Sequence, residues 1–246
     1  MKKPTIRRIF AYILDAMIIS IIASAIANIR IFNPYLDKYR EVEKQYTEVL
    51  ENSLSDQEKF QELMNSDKIN DMSYNLTKYG VYLSISSVIV TFGYFVCFQY
   101  YTKGKTLGRL ITRTELVSSN KEELTFIQLI KRSVIINSLI TSPILIIMMF
   151  TLNKASYLSA NKYVQLVDYT LLIGSICLMI YREDGKGIHD LFAGTRVISS
   201  DDREFYFKHE AIKEAEIVNE EEKTSEPITI ENKKTTRKRS TKKKDE

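Results

Sequence analysis

The chain is poor in the residues that build most metal and redox sites. Among 246 residues it has two cysteines, Cys97 and Cys177, and two histidines, His189 and His209. The cysteines have no C-x-x-C spacing, so they indicate neither a redox centre nor a thiolate metal site. Two histidines are too few for a histidine-rich metal site. We therefore expect no bound metal and no cofactor.

The sequence also lacks a complete catalytic motif. Gly104–Thr106 looks like the end of a phosphate-binding loop, but that loop needs a glycine where this chain has Gln99, and a buried strand before it. The adjacent pair His189 and Asp190 has no further histidine nearby, so it is a weak indication of a metal hydrolase. Asp190 follows a glycine-rich turn, and we expect it to cap a helix or to pair with a base. We expect no catalytic residues and no enzymatic activity.

What the chain does contain is apolar residues gathered into four long segments, although its mean hydropathy is slightly negative. Each segment is long enough to cross a bilayer core of about 30 Å. The segments are Ile9–Ile29, Val81–Tyr101, Ser133–Leu152 and Val164–Tyr181. The sequence therefore predicts an all-α fold, a polytopic transmembrane four-helix bundle.

The distribution of lysine and arginine predicts the orientation of this bundle, because cytoplasmic loops carry an excess of basic residues. The stub 1–8 and the connection 102–132 are basic, whereas the connection 30–78 is net acidic. We therefore expect both termini to be cytoplasmic, with residues 1–200 forming the transmembrane domain.

Two connections have local patterns of their own. Residues 31–77 carry apolar side chains at helical spacing, which predicts an extracytoplasmic helical hairpin. Leu110–Val117 and Gly194–Ser199 each have the character of a short strand. Both lie on the expected cytoplasmic side, so a short β-pairing beneath the bundle is expected.

Residues 201–246 form a charged tail that we expect to be cytoplasmic and largely disordered. It ends in Lys233–Lys244, where eight of twelve residues are lysine or arginine. Each basic residue near a membrane surface gains about 1 kcal/mol from anionic lipid. The same charge could hold nucleic acid or the ribosome, but without interleaved aromatic residues non-specific electrostatics is favoured.

Two acidic residues lie inside predicted spans, where a carboxylate costs several kcal/mol unless it is paired, protonated or hydrated. Asp15 lies in the first span, and Arg8 precedes it by nearly two helical turns on the same face. We therefore expect Arg8 and Asp15 to pair. Asp168, near the start of the fourth span, is a secondary intramembrane candidate.

Small residues recur at every fourth position along the first span. They are Ala16, Ser20, Ser24 and Asn28. Such a stripe suits close helix packing, within one chain or between chains. The stripe is therefore compatible with a homo-oligomer formed through Ala16, Ser20 and Ser24.

Three motifs in order carry a resemblance to a known family. They are Arg8-x-x-Ala11-x-x-x-Asp15, then Gly104-Lys105-Thr106-Leu107-Gly108 with Arg132 after it, and His189-Asp190-Leu191-x-Ala193-Gly194-Thr195. Together they resemble the RDD family of bacterial and archaeal membrane proteins and frame about residues 5–200. The chain departs from the family pattern in its 31–77 insertion, in its basic tail, and in Gly185–Ile188, which replaces Lys/Arg-Gln-Thr before His189.

The resemblance implies a multi-pass protein of the cell membrane with a charge cluster at its inner face. For most members of the family the function is unknown; transport is suggested, and cation–proton antiport is proposed for some members. The expected cluster consists of Arg8, Asp15, Arg132, His189 and Asp190.

Two roles for this cluster remain open. Asp15 could bind a cation or proton while Arg8 tunes its pKa, or the charged residues could form a fixed ionic lock between the helices and the cytoplasmic turn. The first role predicts a small transporter, or transport-associated protein, for a cation or proton. The alternative is a non-catalytic membrane scaffold or accessory protein, which recruits partners through the external hairpin and the basic tail.

Overall fold

The computed structural model describes residues 4–54, 56–120 and 123–207. By their contacts, the described residues up to Arg203 form one unit, and residues 204–207 belong to a second. The basic run Lys233–Lys244 and most of the predicted disordered tail lie outside the described residues. The expected contacts of this tail with lipid, nucleic acid or the ribosome therefore stay predictions.

Helices make up most of the described chain. Its first half contains α1 (Thr5–Ala27), α2 (Leu36–Leu54), α3 (Gln57–Met64), α4 (Asp67–Tyr79), α5 (Val81–Phe92), a π-helix (Gly93–Phe98), α6 (Gln99–Tyr101), α7 (Leu107–Thr112) and β1 (Thr114–Ser118). Its second half contains α8 (Phe126–Ile136), α9 (Thr141–Thr151), α10 (Lys154–Tyr181), α11 (Ile188–Ala193), β2 (Thr195–Ser199) and a 3₁₀ turn (Ser200–Asp202).

Three helical segments are long and apolar enough to cross a membrane. They are α1, the continuous segment Val81–Tyr101, and α10, while α8 and α9 pass the same test together as a pair bent by 59°. The prediction of a mostly helical protein with three or four candidate spans and a short β-pairing is thus confirmed. The cytoplasmic location of the termini stays a prediction.

The predicted third span, Ser133–Leu152, consists of two helices separated by a break. α8 ends at Ile136 and α9 begins at Thr141. Between them Ser138 has a φ of 50°, a left-handed conformation that interrupts the helical hydrogen bonds. Pro143 lies in the first turn of α9, where its missing N–H has no helical partner to lose. The proline therefore belongs to the start of the second helix, not to a kink within one helix.

The segment predicted as a hairpin is helical. α2 packs alongside α4, and α3 joins them. α4 leads through Gly80 directly into α5, so one arm of the hairpin continues into a candidate span. α10 likewise extends beyond the predicted fourth span Val164–Tyr181, because the side chain of Asn153 accepts from the N–H of Ser156 at 2.9 Å and begins the helix ten residues earlier, at Lys154.

The two strands pair antiparallel, with Leu116 opposite Val197. Leu116 and Val197 form a buried core with Val96 of the π-helix and Leu129 of α8. Gly104 lies against this sheet with a φ of 89°, and a Cβ at this position would lie 2.1 Å from the carbonyl oxygen of Leu116. The sheet therefore holds the turn that leads from α6 into α7.

Candidate functional site

Asp190 is the hub of a buried network of charges. Its carboxylate is fully buried and forms ion pairs with both Arg8 of α1 and Arg132 of α8. It also accepts from Thr195 Oγ1 at 3.3 Å and from the N–H of Gly187 at 3.2 Å. One carboxylate thus joins α1, α8, β2 and the turn before α11.

At Asp190 the charges of the two arginines together affect the pKa more strongly than burial does. Burial alone would raise the pKa of Asp190, but the charges of Arg132 and Arg8 hold that pKa well below its ordinary value. The carboxylate is therefore ionised at neutral pH. As the sequence predicts, Asp190 both pairs with bases and caps a helix, since its bond to Gly187 lies in the first turn of α11.

The expected pair between Arg8 and Asp15 is not the one that forms. Arg8 instead binds Asp190 and the carbonyl oxygen of Gly185. The reason is distance along the helix: seven residues correspond to about 10 Å of rise, so a shared face does not bring the two groups into contact.

Asp15 is bound by neutral donors. Its carboxylate accepts from Tyr94 Oη at 2.6 Å, from Thr106 Oγ1 at 2.6 Å and from the N–H of Gly108 at 2.7 Å. The residue is 1% exposed. These three donors satisfy a buried carboxylate without a cation, which is the condition for tolerating it away from water.

Gly108 allows α7 to come close enough to α1 for this contact. A Cβ at Gly108 would lie 2.3 Å from the carbonyl oxygen of Ala11 and 2.8 Å from Asp15 Oδ1. No side chain fits there without moving one of the helices. The Gly104–Gly108 motif therefore combines a tight turn with a close helix contact.

The π-helix Gly93–Phe98 positions Tyr94. Such a turn adds a residue to the helix and changes the face on which the following side chains lie. Tyr94, Phe95 and Val96 are all buried. While Tyr94 donates to Asp15, its oxygen accepts from the N–H of Leu107 at 2.9 Å. Tyr94 therefore connects the second candidate span to both α1 and α7.

Arg109 is a charged residue of the site that the sequence analysis did not single out. Its guanidinium is 8% exposed and donates through Nη1 to the carbonyl oxygen of Gly104 at 3.0 Å. With the amide of Gln99 oriented so that both its ends are satisfied, Nη1 also donates to Gln99. Burial and the charge of Arg132 lower the pKa of Arg109 to about 9, against the opposing attraction of Asp15. Arg109 thus remains cationic at neutral pH.

His189 is buried beside the Asp190 hub. Its Nδ1 is hydrogen-bonded to Ser175 Oγ of α10, while its Nε2 has no hydrogen-bond partner in the described residues and lies 3.5 Å from Asp190 Oδ2. Burial, and next the charge of Arg132, lower the pKa of His189 well below its ordinary value. The ring is therefore neutral at neutral pH.

These charged groups surround a cavity of about 80 Å³, here called the cluster cavity. Among its lining residues are Arg8, Asp15, Arg109, Arg132 and His189. Asp190 lies behind Arg8 and Arg132, its two partners. The structure thus brings together all five residues expected in the cluster, with Asp15 held by a separate set of donors.

Two further clefts continue from the cluster cavity. A middle cleft of about 380 Å³ shares Tyr12, Phe95 and Asn137 with it. A far cleft, also of about 380 Å³, shares Ser87 and Gln165 with the middle cleft. The three cavities therefore adjoin one another, from the charge cluster at one end to the junction of α4 with α5 at the other.

Asp168 lies in the middle cleft, apart from the charge cluster. Its Oδ2 accepts from Ser138 Oγ at 2.9 Å and from Thr141 Oγ1 at 2.8 Å. Ser138 lies in the break between α8 and α9, and Thr141 begins α9. The secondary intramembrane candidate is therefore hydrogen-bonded directly to the break in the bent helix pair.

The small-residue stripe of α1 is not its main packing face. The buried residues of α1 beyond Arg8 recur at every fourth position, at Ala11, Asp15, Ile19, Ala23 and Ala27. Of the predicted stripe, Ala16 and Ser20 line the middle cleft, and Ser20 and Ser24 are exposed. A homo-oligomer through this stripe stays a prediction.

Within residues 4–54, 56–120 and 123–207, no group of three or more His, Cys, Asp or Glu side chains is placed to hold a metal ion. The residues that sequence reasoning missed are Tyr94, Thr106, Gly108 and Arg109. Three of these four lie in or next to the Gly104–Gly108 motif, which was the available signal. No sequence signal pointed to Tyr94, because its role depends on the π-helix.

Comparison with known proteins gives one match. A family model described as the RDD family matches residues 3–194. Neither a curated protein nor a solved structure matches the chain significantly. The matched range covers every candidate span and the residues of the charge cluster, so the match and the long apolar helices together identify an integral, multi-pass membrane protein. The chain belongs to the RDD family.

Proposed function

We propose that this protein is a small transporter, or a transport-associated protein, for a proton or another cation. The observation that carries the proposal is the series of three adjoining cavities, with Asp168 in the middle one. Polar side chains line this series in a part of the chain that is otherwise apolar. An ionisable residue inside a membrane-spanning bundle and facing a cavity is typical of an ion pathway. The proposal includes no catalytic step.

Asp168 suits the role of ion carrier better than Asp15 does. Asp15 already accepts three hydrogen bonds from fixed donors and is almost completely buried. Asp168 is half-buried, and two hydroxyl groups, those of Ser138 and Thr141, both donate to the same oxygen, Oδ2. Hydroxyl groups can rotate and either donate or accept, so they can serve both the charged and the protonated carboxylate.

The charge cluster suits the role of a lock. Asp190 is shared by Arg8 and Arg132, with further hydrogen bonds to its remaining lone pairs. Removing the Asp190 carboxylate would leave two buried guanidinium groups without a counter-charge, at a cost of about 3–5 kcal/mol. In this proposal the lock fixes the ends of α1, α8 and α11 around the cluster cavity, while α8 and α9 can change their bend.

Proton flux in proteoliposomes tests the proposal. Purified protein is reconstituted, and gradients of Na⁺, K⁺ or Li⁺ are imposed while internal pH is recorded. We expect cation-driven proton flux with the wild type and a loss of at least tenfold with Asp168→Asn. Asp37→Asn is the matched control, because Asp37 is exposed and its ion pair among the described residues is with the exposed Arg30. If folded wild type shows no flux with any cation, the scaffold alternative replaces this proposal.

A further inference from the structure

The charges around the cluster cavity do not balance. Three guanidinium groups stand there, those of Arg8, Arg109 and Arg132, against two carboxylates, those of Asp15 and Asp190. Glu115, the other buried carboxylate near the turn, is paired with Lys105 and Arg203. His189 is neutral, so the site carries one excess positive charge. A buried charge without a counter-charge is costly.

Of the three guanidinium groups, that of Arg109 is the one without an ion pair in the described part of the chain. Asp190 is shared between Arg8 and Arg132, and Asp15 is held by neutral donors. In the described part of the chain the guanidinium of Arg109 forms no ion pair, and its hydrogen bonds leave from Nη1. Its Nε–H and Nη2–H₂ groups donate no hydrogen bond to the described residues, and Arg109 lines the cluster cavity.

A ring nitrogen at the same cavity also has no hydrogen-bond partner among the described residues, with Asp190 Oδ2 3.5 Å away. His189 is 3% exposed, and its Nε2 has no hydrogen-bond partner among the described residues. When Ser175 donates its hydroxyl to Nδ1, the ring proton is on Nε2, which makes this atom a donor. In that tautomer two independent groups, one charged and one neutral, present unused N–H donors at one cavity.

We propose that the cluster cavity binds a small monovalent anion, held by the guanidinium of Arg109 with His189 Nε2–H nearby. The anion is either a free inorganic ion or the phosphodiester of an anionic lipid headgroup, since both carry one negative charge and accept hydrogen bonds. About 80 Å³ holds a few water-sized groups and excludes larger organic molecules, apart from a headgroup that enters in part. This inference rests on the cavity alone and is independent of the transport proposal.

Anion-dependent stability of the full-length protein tests the site. Purified protein in detergent is placed in sodium gluconate and titrated with sodium chloride or sodium nitrate at constant ionic strength, while the Tm is measured. We expect the Tm to rise and saturate, because a ligand that binds only the folded state stabilises it. Arg109→Gln should weaken the apparent affinity about tenfold or more, since it removes a charge-assisted contact.

Lys131→Gln is the matched control. It removes the same charge from the exposed position next to Arg132 and should leave the anion response as in the wild type. Arg109→Lys keeps the charge and should retain part of the response. If Arg109→Gln does not fold, equilibrium dialysis of the wild type with labelled chloride decides the matter: about one bound ion per chain supports the site, and no saturable binding overturns it.

A lipid arm distinguishes the two sources. The same proteins are placed in nanodiscs of zwitterionic lipid, with or without phosphatidylglycerol. If a headgroup occupies the site, phosphatidylglycerol should stabilise the wild type and Lys131→Gln but not Arg109→Gln, and chloride should have no further effect. If a free ion occupies it, chloride should act in both lipids. Equal responses of wild type and Arg109→Gln in every arm would overturn the site.

Discussion

The backbone N–H of Gly108 donates to the carboxylate of Asp15 at 2.7 Å, across the contact between α7 and α1. Asp15 is the one carboxylate inside the first candidate span, and its bonds connect that span to the Gly104–Gly108 motif. The motif and the intramembrane charge are therefore two halves of one contact. Glycine is needed at position 108 because the approach leaves no room for a Cβ.

Gly108→Ala should destabilise the protein strongly. The new methyl group would lie 2.3 Å from the carbonyl oxygen of Ala11 and would force α7 away from α1. Overpacking of this kind costs about 1–3 kcal/mol, and more where backbone must move. Thermal unfolding in detergent measures the effect. Gly93→Ala is the control, because a Cβ at Gly93 meets nothing within 4 Å; equal losses for the two variants would contradict this account.

Asp190→Asn should cost more stability than Asp15→Asn. The first change leaves Arg8 and Arg132 buried without a counter-charge, at about 3–5 kcal/mol. The second keeps an oxygen that can accept from Gly108 and disturbs one hydroxyl contact, at about 1–3 kcal/mol. Chemical or thermal unfolding of both variants ranks them. A larger loss of stability for Asp15→Asn would contradict this ranking and would favour an ion pair between Arg8 and Asp15.

A double-mutant cycle examines the lock itself. Arg8→Gln and Asp190→Asn remove the two sides of one ion pair, so their effects on the free energy of unfolding should be non-additive by about 1–3 kcal/mol. Arg8→Gln combined with Asp15→Asn should be closer to additive, because Arg8 and Asp15 do not share a bond. The reverse pattern of coupling would contradict the assignment of Asp190 as the hub.

Tyr94→Phe should loosen the contact between α1 and the second candidate span. The hydroxyl donates to Asp15 and accepts from the N–H of Leu107, so its loss leaves a buried carboxylate and a partly buried N–H each short of a partner. We expect a loss of about 1–3 kcal/mol in the free energy of unfolding. Tyr100→Phe, at a more exposed tyrosine of the same segment, is the comparison and should change stability little. Similar losses for both would argue against a special role of Tyr94.

The protein should lose stability as the pH falls, over a pH range that is set by the pKa of His189. Its pKa in the folded protein lies well below the ordinary value of 6.5, so the unfolded chain takes up the proton first. The contribution of neutral His189 to the stability of the fold is therefore complete above about pH 6.5, and it is lost as the pH falls below this value. Asp190 follows the same sign, but its loss begins only below the ordinary value of 3.8.

His189→Gln should remove this first acid loss. The Tm between pH 8 and pH 4.5 is measured for the wild type, His189→Gln and His209→Gln, which alters the only other histidine in the chain. We expect a flatter profile for His189→Gln and a profile like the wild type for His209→Gln. Parallel profiles for all three proteins would show that His189 does not titrate as described.

The parts of the fold that depend on composition and local pattern could be predicted from the sequence. Long apolar runs locate the candidate spans, and the short alternating stretches locate β1 and β2, although Leu110–Thr112 of the predicted strand belongs to α7. The charged and motif residues pointed to Arg8, Arg132, His189 and Asp190, and the structure brings all four together.

What could not be predicted depends on contacts distant in sequence. Tyr94 and Thr106 are 79 and 91 residues from Asp15, and no local pattern reveals that their hydroxyls meet its carboxylate. Arg109 looked like one basic residue among many in a cytoplasmic loop, and only the fold buries it beside a cavity. The break at Ser138 was similarly hidden, because it lies within an apolar run that the sequence predicts as one span.

The most direct test of the central claim, that the adjoining cavities form an ion route, is to block their junction. Ser87 lines both the middle and the far cleft, whereas Ile89 on the same helix is 64% exposed on its surface. Cation-driven proton flux should be abolished by Ser87→Phe and retained by Ile89→Phe, with both variants folded. Undiminished flux through Ser87→Phe, or no flux in the wild type, would contradict the route.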